Sequence, residues 1–258
     1  MTDSGVGGRL EAKVAVITGG GQGIGKGIAC AFASEGAHAA ILDVDDDRAS
    51  RSAKECTARG PEAVALQCDV ANRDDVDRAV ATVVERFGGI DVLVTCALPK
   101  LAVQPFEVTA IAHIEKMWRV GYVGVVNTMQ ACLPHLKERR GAVINFGSGA
   151  GVGASAGYSS YAPVKEAVRA LTRVVAREWG AYGIRVNAIC PFARSEQFDE
   201  WVQANPDQAA MAAASTALGR IGDCERDIGR AAVFLASDDA GFVTGHSLMV
   251  DGGQGMPL

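Results

Sequence analysis

The stretch Val14-Ala-Val-Ile-Thr-Gly-Gly-Gly-Gln-Gly-Ile-Gly25 runs from an apolar, β-branched segment straight into a glycine-rich turn, and a helical pattern over residues 24–35 follows it. A short, continuous apolar run is how a strand reads when both its faces are covered, as in a parallel sheet. The glycines allow a tight turn, let a backbone approach a pyrophosphate, and let the next helix pack closely on the strand. The start of that helix adds unpaired N–H groups and the positive end of a dipole. A strand before, a helix after and a place in the first βα unit together form the context of a dinucleotide-binding turn.

Working outward, similar apolar runs recur at residues 39–43, 64–69, 92–95, 142–146, 185–189 and 247–250. Helical patterns fall between them, among them 75–87, 113–138, 161–179 and 225–236, and Asn72 with Asp75 has the form of an N-cap and its answering carboxylate. This alternation predicts a Rossmann-type, doubly wound, mostly parallel seven-stranded sheet with helices on both faces. No break in composition, linker or internal repeat divides residues 1–258, so one dinucleotide-binding and catalytic domain is expected. Residues 191–218 interrupt the rhythm: they read as free of strand and carry Phe192, Phe198, Trp201 and Met211. Beyond a strand's C-terminal end, such an excursion is either a substrate lid or a packed surface helix. With the small residues 153–157, it suggests a mostly apolar small-molecule substrate.

Composition narrows the class. Apolar residues make up 48% of the chain and the net charge is −5, which fits a globular protein and gives no reason to expect nucleic acid or an anionic membrane as a partner. Seven cysteines and four histidines are scattered without metal-ligand spacing, so no metal is expected. An odd cysteine count, a polar N-terminus and the lack of a membrane-length apolar run point to the cytoplasm.

Two further sites carry chemistry. Asp43 closes the second apolar run, 18 positions beyond Gly25. A carboxylate there accepts hydrogen bonds from an adenosine ribose and repels a 2′-phosphate, which selects NAD over NADP. Tyr161-Ala-Pro-Val-Lys165 opens a predicted helix, and its four-residue spacing sets phenol and ammonium on one face. A nearby cation favours the phenolate, making a tuned acid/base. Thirteen residues earlier, Ser148 follows the strand 142–146, at the same sheet edge as the glycine turn.

With these motifs in order, the sequence resembles the short-chain dehydrogenase/reductase family over Lys13 to Gly253. The resemblance rests on Thr18–Gly25, Asp69-Val70, Ser148, Tyr161-x-x-x-Lys165, Ile184-Arg-Val-Asn187 with Pro191, and the closing Leu235-Ala-Ser, Val243-Thr-Gly and Val250-Asp-Gly-Gly253. It implies an oxidoreductase moving a hydride between NAD(H) and a secondary alcohol or ketone. Tyr161 would be the general acid/base, Lys165 would lower its pKa and bind the nicotinamide ribose, and Ser148 would orient the reacting oxygen. Cofactor contacts would come from Thr18, Gly19, Gln22, Gly23, Ile24, Asp43, Asp69, Val70, Ala97, Tyr161, Lys165 and Pro191, and substrate contacts from Ser148, Phe192, Phe198 and Trp201. Thr244 and Gly245 would belong to a structural turn. A homotetramer or homodimer is implied, formed through helices 113–138 and 161–179.

Three positions depart from the family pattern. The fourth strand ends in Thr95-Cys-Ala-Leu98 where the family has Asn-Asn-Ala-Gly. Gly121 stands where the family carries an asparagine that supports a water in the proton relay, and Asn127 falls on another helix face. Phe192 follows Pro191 in place of glycine. A redox-silent NAD-binding regulatory protein and a non-redox lyase or isomerase are the alternatives these departures raise.

Overall fold

The structure, a computed structural model, describes residues 8–195, 198–199, 202–203 and 206–255. The run Val14–Thr18 is strand β1 and is buried along its whole length. Its glycine turn feeds α1 (Gly23–Ser34), and the chain returns as β2 (His38–Asp43). There follow α2 (Asp46–Thr57), β3 (Ala63–Gln67), α3 (Arg73–Phe87) and β4 (Val92–Thr95). The second half continues with α4 (Ile111–Trp118), α5 (Gly124–Arg139), β5 (Ala142–Phe146), the short α6 (Gly149–Val152), α7 (Ala162–Trp179) and β6 (Arg185–Pro191). The short strands β7 (Ala193–Arg194) and β8 (Gly222–Asp223) precede β9 (Ser247–Val250).

Seven strands form one sheet in the order β3-β2-β1-β4-β5-β6-β9, and every pairing is parallel. Chain order reverses between β1 and β4. Connections leave in opposite directions there, so a crevice opens beyond the strands' C-terminal ends. One face of the sheet is covered by α1, α2 and the helix Arg230–Ala236, through Ile28, Phe32, Ala49, Cys56 and Val233. The other is covered by α3, α5 and α7, through Val76, Val80, Met129, Leu136, Val168 and Val175. The doubly wound expectation is met in full.

Differences from the sequence reading are local. α2 was not singled out by periodicity; Asp45 starts it by accepting the Arg48 N–H at 3.0 Å. β3 ends at Gln67: the Cys68 N–H still pairs with the Asp43 carbonyl of β2, and only the Asp69 N–H turns away, to an Asp75 carboxylate oxygen. The expected helix 113–138 is a rod from Ile111 to Arg139 interrupted by a π turn, Arg119–Val123, that holds buried Gly121. A second π turn, Cys224–Gly229, precedes the helix Arg230–Ala236. The expectation of no strand between residues 191 and 218 is corrected. Ala193–Arg194 pairs in parallel with Gly222–Asp223, a contact across the whole excursion that local pattern does not reveal. Among the described residues no helix is long and apolar enough to cross a membrane. All seven cysteines are free.

Candidate active site

The glycine turn is built by steric exclusion. Gly19 has φ +64°, and a Cβ on it would lie 2.7 Å from the Ala97 Cα. A Cβ on Gly25 would lie 2.2 Å from the Gly19 carbonyl oxygen. Any side chain at either position would force the turn open. Beneath it, Thr18 is only 2% exposed, and its hydroxyl accepts the N–H groups of Cys96 at 3.1 Å and Ala97 at 3.3 Å. Thr18 thus clamps the exits of β1 and β4 together from below rather than lining the cleft.

At the tip of β2 the Asp43 carboxylate receives the Gly21 N–H on one oxygen and the Asp45 N–H on the other. Gln22, the N-cap of α1, makes no side-chain cap; its amide oxygen instead accepts from Arg48 at 2.7 Å. A glycine-rich cradle, a helix N-terminus and a fixed carboxylate fit the pyrophosphate and adenosine ribose of a dinucleotide. Val70 packs against Gly124, and its carbonyl accepts from the Asn127 side chain at 3.0 Å, so Asn127 fastens the turn after β3. Asp69 is exposed beside it and accepts the Ala71 N–H.

Ser148, Tyr161 and Lys165 meet across the end of β5. Ser148 caps α6, with its oxygen accepting the Ala150 N–H at 3.1 Å, and its side chain is also hydrogen bonded to Tyr161. Tyr161 is the N-cap residue of α7. The Lys165 ammonium, 5.6 Å from the Tyr161 ring centroid, donates to the Phe146 carbonyl at 3.0 Å. Lys165 is 6% exposed, and burial lowers its pKa. Burial raises the pKa of Tyr161, while the bond to Ser148 pulls it down. Burial is the larger of these two influences on Tyr161, and the Lys165 ammonium is turned toward a carbonyl.

Two cysteines to which the sequence assigns no role border the pair. Cys96, just past β4, and Cys190, on β6, both act electrostatically on Tyr161 and Lys165. Desolvation pushes the Cys96 thiol up to about 11. The one available signal was position, since both lie at C-terminal strand ends, where this sheet opens its crevice. Pro191 ends β6 opposite Val250, and the Phe192 N–H donates to the Val250 carbonyl. The Phe192 ring meets Phe198 edge-on at 6.3 Å. Trp201 lies outside the described residues. Thr244 and Gly245 fasten the turn before β9 to Val186 through its N–H and carbonyl. A polar groove of about 590 Å³ runs beside α1. It is lined in part by two ion pairs, Lys26 with Glu55 and Arg59 with Glu225, and none of Ser148, Tyr161 and Lys165 lines it.

A dinucleotide cradle and a Ser–Tyr–Lys cluster on one sheet edge define a nucleotide-dependent oxidoreductase. A family model described as enoyl-(acyl carrier protein) reductase matches residues 19–254. A 12α-hydroxysteroid dehydrogenase from a Clostridium species is 38% identical over 96% of this chain and 98% of its own length. An L-fucose dehydrogenase from Oryctolagus cuniculus is also 38% identical, over 96% of this chain and 86% of its own. Among solved structures, a 3-ketoacyl-(acyl-carrier-protein) reductase from Brucella melitensis complexed with NADH superposes with a TM-score of 0.88 at 31% identity, covering 96% of this chain and all of that one. The chain belongs to the short-chain dehydrogenase/reductase family, whose dehydrogenases use nicotinamide cofactors.

Proposed function

We propose that the protein interconverts a secondary alcohol and its ketone with NAD(H), and that Tyr161 is the general acid/base. The observation that carries this reading is the meeting of Ser148, Tyr161 and Lys165 beside the Gly19–Ala97 contact, at the crevice between β1 and β4. Gly19, Gln22, Gly23 and Ile24 would hold the pyrophosphate, Asp43 the adenosine ribose, and Asp69 and Val70 the adenine. Ala97, Lys165 and Pro191 would hold the nicotinamide half. Bound there, the nicotinamide supplies the hydride chemistry. Ser148 orients the reacting oxygen, having a hydroxyl hydrogen to donate while its oxygen accepts the Ala150 N–H. Tyr161 gives its proton to that oxygen in reduction and takes it back in oxidation. The Lys165 charge, fixed by Phe146, stabilises the phenolate that reduction leaves behind.

Asp43 supports NAD over NADP through its charge. Phe192 and Phe198 support an apolar substrate surface, and the hydroxysteroid relative names one substrate class to try. The exposed Ile111, Trp118, Val123 and Val174 on the α4–α5 rod and on α7 support a homodimer or homotetramer through those helices. Free thiols throughout support a cytoplasmic setting. A panel of secondary alcohols, including hydroxysteroids and sugars, assayed by nicotinamide absorbance with NAD and with NADP, tests the reading. Cofactor binding without turnover of any alcohol or ketone would overturn it in favour of a redox-silent role.

A further inference from the structure

Two cysteines that the proposed reaction does not use face each other between α1 and α2. Cys30 Sγ and Cys56 Sγ are 4.0 Å apart in a thiol–thiol hydrogen bond, with Cys30 2% and Cys56 0% exposed. Their neighbours are small: Ala29 and Ala33 on α1, and Ala49, Ser52 and Ala53 on α2, are all buried. Just past α2, a Cβ on Gly60 would lie 1.9 Å from the Ala33 carbonyl oxygen, so the chain there runs directly against α1. Lys26 and Glu55 tie the same two helices by an ion pair at 2.8 Å. A disulfide bond is ~2.05 Å long, so the sulfurs have about 2 Å left to close. Because they already bond to one another, nothing has to leave from between them.

The two thiols differ in access and in charge. Cys30 lines the polar groove beside α1, as does Arg59. The hydrogen bond from Cys56 lowers the pKa of Cys30, and the Arg59 guanidinium pulls the same way against burial. Cys56, as the donor and in a desolvated place, is pushed up. Ser52 lies one turn earlier on α2, and its hydroxyl has no partner other than Cys56. Thiolates are the nucleophiles of sulfur chemistry, so Cys30 is the sulfur placed to react first and Cys56 the one placed to resolve it.

We propose that Cys30 and Cys56 form a redox-active dithiol, which hydrogen peroxide entering the groove beside α1 converts to a disulfide linking α1 to α2. The Cys30 thiolate attacks one peroxide oxygen: an S–O bond forms, the O–O bond breaks and hydroxide leaves. The sulfur is thereby oxidised to a sulfenic acid and the peroxide reduced. The Cys56 sulfur then attacks that of Cys30: an S–S bond forms, the S–O bond breaks and a second hydroxide leaves. The two thiol protons turn both hydroxides into water. The link closes a covalent loop that contains all of β2 with Asp43, and it ties that loop to the helix that starts at the glycine turn. Reversible disulfides of this kind are the sort found in reducing compartments, where they report oxidant. The inference does not rest on the function proposed above.

Peptide mapping of the full chain tests it without turnover. Reduced protein is treated with hydrogen peroxide, blocked with iodoacetamide and digested with trypsin under non-reducing conditions. Cleavage after Lys26, Arg48, Lys54 and Arg59 puts the two sulfurs on separate peptides, 27–48 and 55–59. These should appear joined, two hydrogens lighter than their sum, and should separate on adding dithiothreitol. No joined peptide at peroxide doses that leave the far-ultraviolet circular dichroism unchanged would overturn the proposal. So would Cys30 joined instead to Cys224, which lines the same groove. In Cys56→Ala the sulfenic acid has no resolving thiol, and dimedone should label Cys30. Dimedone on Cys56 in Cys30→Ala, with none on Cys30 in Cys56→Ala, would overturn the assignment of the attacking sulfur.

Discussion

The Asp43 carboxylate accepts the Gly21 N–H at 3.0 Å, tying the tip of β2 to the turn that follows β1. Its second oxygen is held by the Asp45 N–H at 3.1 Å, so a negative charge is fixed where an adenosine ribose would lie. Asp43→Ser keeps an acceptor and removes the charge. The ratio of kcat/KM for NADP to that for NAD should rise about 10–1,000-fold, within the ~1–4 kcal/mol of one charge–charge contact at about 4 Å. An unchanged ratio would show that cofactor choice is made elsewhere.

Removing the phenol oxygen tests the acid/base directly. Tyr161→Phe should lower kcat by about 10²–10⁴-fold. NADH binding, followed by fluorescence titration, should persist, because the glycine cradle and Asp43 are untouched. Turnover near the wild-type level would move the proton transfer to another group.

On the proposed mechanism, Ser148 would set the pH range of turnover. Its hydrogen bond lowers the pKa of Tyr161 against the upward push of burial. Without it the phenol holds its proton to higher pH. Alcohol oxidation needs the deprotonated form, so the rising limb of its profile in Ser148→Ala should move up by about one unit, the size of one hydrogen bond. In ketone reduction the protonated form is the reactive one, and activity should extend to correspondingly higher pH. Steady-state profiles in both directions check the two signs together.

Asn145 bears on stability rather than chemistry. It is fully buried on β5 and links Thr95 of β4 to Thr172 of α7. Asn145→Ala leaves both hydroxyls short of a partner and should cost about 1–3 kcal/mol, which lowers the melting temperature by about 3–10 °C. A thermal scan showing no loss would mean that the core relaxes around the deletion.

The sheet was legible because each of its strands is a continuous apolar run bounded by turn residues, a signal that lies within a few neighbouring positions. β1, β4, β5 and β9 fall where their residues indicate. α2 was harder, since its apolar face rests on little more than Ala49, Ala53 and Cys56 among charged neighbours. A π turn has nearly the same local periodicity as an α-helix, so Arg119–Val123 leaves no trace in the pattern. Ser148, Tyr161 and Lys165 could be read from spacing and strand position. Cys96, Cys190 and the meeting of Cys30 with Cys56 could not, because those relationships join residues far apart in the chain.

The short β7–β8 pair has a consequence for how this chain could change over time. Gly222 donates to the Phe192 carbonyl, and Leu218 to that of Gly252, so the excursion leaves and rejoins the fold at one fixed collar. Whatever is inserted, shortened or exchanged between those anchors leaves the register of the seven-stranded sheet undisturbed. The segment between them could therefore be exchanged for a relative's as a cassette, with the sheet as an unaltered chassis.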